Sequence, residues 1–356
     1  MIRVLLCCLL LPGLAQAQSR LDADTRAILQ EGLIETANGF IAPGYSAWAD
    51  AAAGLTSSLQ AFCAGIGPVE AAEDSFAESF LAWQRMAVIQ VGPIKEGKGP
   101  MRVQLWPDPK GFSRRAVRAA VRAADPALLD PGALQGRSVA LVNLTALEGL
   151  VYGPLSPQTY ACDLAVAIAA YQAGLAHDLA QSWQPGAPFR VAFDTAAAGN
   201  GRYASVDALI RELLSGAVVY TDRLRKFKLQ RPLGAEAGAA RPERSEARPS
   251  GLGLASIAVG FATLRDLYEL PYGFFDVTPD VGGSMEFFIL GETAGSIAAS
   301  LSFATQSLEE ILLEDGEMAA ELRRFAELTL LHETYLKTGL LASLGLTAGF
   351  TSADGD

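Results

Sequence analysis

Glu148 is the only charged residue between Ser138 and Ala161, in the run SVALVNLTALEGLVYGPLSPQTYA. Leu141, Leu144, Leu147, Leu150 and Val151 surround it at spacings that cover most of a helix surface. A helix apolar nearly all round is a buried one. A carboxylate there without company is strongly unfavourable, so it must be paired, protonated or bound to something. Thr145 lies one turn before Glu148 and Tyr152 one turn after, on the same face. Two uses fit this pattern: a structural grip on an Arg of a neighbouring helix, or the centre of a binding site.

The rest of the chain narrows the chemistry. Its two histidines, His177 and His332, each lack a second His four residues away. No HExxH, GxSxG, GxGxxG or P-loop occurs, which argues against an ordinary zinc site and against the nucleophile and phosphate-binding classes that leave such signatures. His332, in LLHETYLKT, reads as a helix-surface or interface residue. What remains is carboxylate and guanidinium chemistry. Arg241, Glu243, Arg244, Glu246 and Arg248 cluster in RPERSEARPSG, which Pro and Gly make irregular. Arginines fixed in a loop can fork onto a carboxylate such as Glu148 or onto an anionic ligand. Alternatively, the charges of this stretch pair with one another in a solvated linker. Glu148, Asp108, Asp354 and Asp356 are the candidates for a cation that prefers oxygen ligands. Trp83 and Trp106 read as packing residues.

The elements that must position these residues are helical. Leu21 to Ile41 reads as a first helix interrupted near Pro43, and Tyr45 to Cys63 continues it. Phe76, Phe80, Trp83, Ala87 and Val91 recur at steps of three and four, an apolar stripe that ends at Gly92-Pro93. After the rigid LWPDPKG loop, Ser113 to Ala124 is a short basic helix with Ser113 as its N-cap. The Glu148 helix ends at Gly153-Pro154, and a long helix runs from about Pro157 to Trp183. Pro185 to Arg202, small, polar and Gly-bearing, is the candidate domain boundary. Helices follow over Val206–Leu229, Leu254–Leu267, Ser284–Leu313 and Glu317–Leu344, with a Pro/Gly/Arg/Glu loop over Gln230–Gly253. Short links and comparable halves suggest a pair of helical bundles.

The start of the chain sets the compartment. Arg3, the apolar Val4–Leu11 run and Ala15-Gln16-Ala17 read as a signal peptide cleaved after Ala17. Leu6 before Cys7 argues against a lipid anchor. The expected division is a signal peptide over 1–17, an N-terminal bundle over 18–195 and a C-terminal bundle over 196–356, exported to a periplasm. Cys63 and Cys162 then remain, and an even pair in an oxidising compartment is expected to form a disulfide. Past the signal no run is apolar enough for a transmembrane segment. A formal charge of −11 over 356 residues argues against nucleic acid as a partner.

Four ordered stretches resemble the imelysin family. They are FLAWQRMAVIQVGPI (Phe80–Ile94) with LWPDPKG (Leu105–Gly111), LTALEGLVYG (Leu144–Gly153), Glu212–Gly234 running into Arg241–Ile257, and the chain end Leu340–Asp356. The resemblance implies an all-α protein of two four-helix bundles with a cleft between them, exported in bacteria and linked to iron uptake. It also implies nominal membership of a metallopeptidase class. The family's GxHxxE signature falls on Asn143, Thr145 and Glu148, so only the Glu is kept, and a lone carboxylate does not hold a catalytic metal. The Arg segment and the terminal acidic residues match family cleft positions. The resulting expectation is a non-catalytic periplasmic protein of iron acquisition. It binds a small ligand, or a metal ion such as iron or another oxygen-liganded cation, beside Glu148. The site set is Glu148, Thr145, Asn143, Arg241, Arg244, Arg248, Asp108 and Asp354. The alternatives are an imelysin-type metallopeptidase, and a scaffold that docks a periplasmic or membrane partner protein.

Overall fold

The computed structural model describes residues 22–269, 283–340 and 344; the expected signal peptide and Asp354 lie outside them. The described residues form helices and connecting turns, with no strand among them. The helices that matter below are α1 (Ala23–Thr36), α2 (Ala42–Cys63), α3 (Val69–Met86), α4 (Phe112–Ala123), α5 (Leu144–Val151) and α6 (Tyr160–Ser182). They continue with α7 (Pro188–Asp194), α8 (Val206–Arg223), α9 (Gly253–Glu269), α10 (Gly283–Ser302), α11 (Leu308–Glu314) and α12 (Glu317–Thr334).

In the first half α2 packs along α3 and α6. The Cys63–Cys162 disulfide, with Cα atoms 5.6 Å apart, ties the end of α2 to the start of α6, as expected. In the second half α9 packs along α10, and α8 along α12. This grouping is consistent with paired bundles. The two groups nonetheless share one apolar core, because α1 lies on α8 and α3 on α9. Two ion pairs follow the same seams: Arg26–Asp207 at 3.1 Å and Arg85–Asp266 at 2.6 Å.

Several boundaries differ from the sequence expectation, each for a local reason. Pro43 does not interrupt the first helix. The turn before it widens into a π-helix over Ala37–Ile41, and the Ala42 N–H reaches back to the Ala37 carbonyl. The same device recurs at Pro232, where Leu224–Gln230 is π-helical and the Arg231 N–H reaches the Lys226 carbonyl. Proline lacks an N–H and its ring crowds the carbonyl four residues back, so a widened turn lets the chain stay helical. The expected Ser284–Leu313 helix breaks into α10 and α11, the latter started by a capping box between Ser307 and Glu310. The expected Glu317–Leu344 helix is α-helical to Thr334 and then π-helical over Tyr335–Leu340. Within the Pro185–Arg202 segment α7 packs Phe189 and Phe193 against Trp183, with ring centroids 4.9 and 5.1 Å away. His332, read as a helix-surface or interface residue, is fully buried against Tyr268 of α9. Its Nδ1 lies 3.0 Å from the Tyr268 hydroxyl, and burial pushes its pKa down to about 4.

Candidate functional site

Asn143 fixes the helix that carries Glu148. The sequence predicts one buried helix here, but the backbone is extended at Asn143 and divides it into Val139–Val142 and α5. The Asn143 side chain accepts the Ala146 N–H at 3.1 Å and donates to the Ser113 hydroxyl and the Val139 carbonyl. It thereby caps α5 and ties it to α4. Asn143 is fully buried and does not line the cleft described below.

Ser113 is not the cap of α4. Gly111 holds that position in the left-handed region (φ 61°), and both oxygens of Asp108 accept backbone N–H groups, from Phe112 and Ser113, at 2.8 Å each. Ser113 is buried at the second helical position, where it meets Asn143.

Beside α4 and α5 opens a cleft of about 1420 Å³. Glu148, Thr145, Gly149 and Tyr152 line it from the α5 side, and Trp106 and Asp108 from the LWPDPKG loop. Arg114, Arg118 and Arg122 line it from α4, and Arg244 and Arg248 from the loop between Arg241 and Gly253. Arg241 does not line it; its backbone N–H bonds the Pro232 carbonyl at 2.6 Å. Trp106 faces the cleft while resting edge-on against Phe227, whereas Trp83 is buried against Trp48.

Glu148 is 4 % exposed, as its leucine surroundings require. Its partner is not an arginine. Oε1 accepts the Ser250 N–H at 3.1 Å and the Ser250 hydroxyl at 2.7 Å, both from the Arg-rich loop. Burial outweighs these two donors and pushes the carboxyl up to about 7, with the negative charge of Glu246 adding to the rise. Near neutrality this group exists in both protonation states, at the wall of an open cleft. Tyr152, one turn on, donates to the Glu73 carbonyl at 2.9 Å.

The loop that supplies Ser250 is anchored by a second buried carboxylate, which the sequence presented as one charge among five. Glu246 is 3 % exposed. It accepts from Gln104 at 2.8 Å and from the Ser256 hydroxyl at 2.6 Å, and it pairs with the Lys228 ammonium at 3.0 Å. Gln84 and Trp83 extend the network through Gln104. The stretch is therefore a folded loop. Of its arginines, Arg248 pairs with Glu309 at 2.7 Å, at the surface.

A metal centre of the kind the metallopeptidase class implies needs several ligand side chains around one point. Among the described residues no three His, Cys, Asp or Glu side chains come together to hold one. Asp108 spends both oxygens on α4, and Thr145 stands where the resemblance implies a His. These residues do not fit such a centre.

The imelysin family model, of peptidase class M75, matches residues 41–337. The chain belongs to the imelysin family. Its fold matches an imelysin-like protein from Psychrobacter arcticum 273-4 at a TM-score of 0.76 and 18 % identity, covering 93 % of this chain and 99 % of that one. It also matches a protein of Parabacteroides distasonis ATCC 8503, named provisionally an iron-regulated protein A precursor. There the TM-score is 0.70 at 11 % identity, with 90 % and 97 % of the two chains covered. No curated protein sequence matches the chain.

The α4 arginines were legible as a basic helix, but their spacing of four, which puts all three on one face, is the signal that the sequence reading passed over. Ser250 carried no such signal, since it lies 102 residues from Glu148 in sequence.

Proposed function

We propose that this imelysin-family chain is a non-catalytic binding protein whose ligand sits in the cleft over Glu148, and that it serves iron acquisition in the periplasm. The observation that carries the reading is Glu148 itself. A buried carboxyl raised to about 7 and held on one oxygen by Ser250 leaves its second oxygen free of any described partner, at the wall of the large cleft. Such perturbed groups concentrate at functional sites. Thr145, beside it, and Arg244 and Arg248, from the Ser250 loop, complete the contact set. The link to iron rests on the family and on the name of the Parabacteroides distasonis protein. No described helix is long and apolar enough to cross a membrane, in keeping with an exported binding protein.

The metallopeptidase alternative has the family's class name behind it but lacks the ligand set among the described residues. Calorimetric titration of the pure protein with ferric and ferrous chelates, beside Glu148→Ala, tests the reading. Saturable binding lost in the variant is expected, with no cleavage of an unfolded polypeptide under any added divalent metal. Equal binding by both proteins would remove Glu148 from the site, and chelator-sensitive cleavage would favour the peptidase.

A further inference from the structure

The cleft is positive inside an acidic protein. The chain carries a formal charge of −11, yet seven cationic side chains line the cleft against four acidic ones. Three of those four are already committed or raised in pKa. Asp108 caps α4, Glu309 holds Arg248, and Glu148 titrates near neutrality. The positive charge is also patterned. Arg114, Arg118 and Arg122 stand four residues apart on α4, so they share one face and recur about every 6 Å along the helix axis. Among the described residues none of the three is in an ion pair. Like charges at this spacing destabilise a helix, and Arg114 stands in the first turn, where the helix dipole opposes a cation as well. Arg115, on the same helix, instead stacks over Phe112 and does not line the cleft. A self-repelling row turned into a cleft is what a multivalent oxyanion neutralises, because the guanidinium fork matches carboxylate and phosphate geometry.

Resting on the cleft reading above, we propose that the ligand is an extended polyanion, its oxyanion groups gripped by Arg114, Arg118 and Arg122 on α4 and by Arg244 from the Ser250 loop. Calorimetry with citrate and with tripolyphosphate as probes, against acetate and inorganic phosphate, tests this. At least one polyanion should bind saturably and at least tenfold more tightly than its monovalent counterpart, and binding should weaken steeply with added salt. The preferred probe then tells a carboxylate ligand from a phosphate one. Replacing Arg114, Arg118 and Arg122 by Gln should weaken binding by about tenfold for each arginine lost. Arg115→Gln removes a charge from the same helix and should leave affinity unchanged, while circular dichroism confirms that both variants fold. Failure of both polyanions to outbind their monovalent counterparts overturns the proposal. So does equal weakening by Arg115→Gln and by a single cleft variant. Polyanion binding that survives Glu148→Gln would uphold the arginine site while removing Glu148 from it, so the two readings fail separately.

Discussion

Glu148 and Glu246 are almost equally buried, at 4 % and 3 % exposure, and one loop links them, carrying Glu246 and donating to Glu148 through Ser250. Their surroundings differ in kind. Glu246 has a cation, an amide and a hydroxyl, each within hydrogen-bonding distance. Among the described residues Glu148 has one serine, no cation, and a wall of the cleft. A buried charge that is paired and hydrogen-bonded specifies structure, because removing either partner strands the other. A buried carboxyl with one oxygen left over is available to a ligand. The loop from Arg241 to Gly253 thus does two jobs: Glu246 locks it into the core, and Ser250 holds Glu148 in place.

The comparison breaks most readily at Glu246. Glu246→Ala would leave the Lys228 ammonium buried without its counter-charge, and about 3–5 kcal/mol of stability should be lost by chemical denaturation. Glu148→Ala strands only Ser250, near the surface, and its loss should be much smaller. If the two variants were equally destabilised, the division into structural and functional carboxylates would fail.

A smaller effect sharpens the contrast through pH. An ordinary glutamate titrates near 4.5 and Glu148 near 7. Between these values the unfolded chain has released the proton while the folded chain keeps it, so the folded state binds more protons and stability falls as pH rises. The loss is complete above about 7. Glu148→Gln removes this contribution, so its stability relative to wild type should rise from pH 4.5 to 7, by about 1–3 kcal/mol, in denaturation series at matched pH.

Smallest of all is Ser250→Ala. It removes one of two donors that favour the ionised form, so the Glu148 titration should move higher still, at a stability cost of about 1 kcal/mol. A downward shift would mean that the hydroxyl does not hold the carboxylate.

Local physics made the burial of Glu148 readable in the sequence, because leucines at helical spacing leave a side chain no route to water. The helical architecture and the Cys63–Cys162 bridge were readable for similar reasons of period and compartment. The partner of Glu148 was not. Ser250 is an ordinary loop residue brought in from 102 positions away, whereas the neighbouring arginines looked the better match for a carboxylate. Glu246 was hidden by its context, since five charges in a Pro/Gly stretch look solvated until Lys228, Gln104 and Ser256 close around one of them. Asp108 looked like a ligand candidate because nothing in LWPDPKG announces that both its oxygens serve α4. Pro43 misled for the opposite reason: a proline usually ends a helix, and here a single widened turn absorbs it.

The most direct test of the division between the two carboxylates is the titration of Glu148 itself. It can be followed by the carboxyl carbon shift in protein labelled at glutamate, with Glu148→Gln assigning the resonance. A midpoint near pH 7 is predicted. A midpoint at or below the ordinary glutamate value would show a carboxylate already fully compensated, and the cleft would lose the group that marks it as a site.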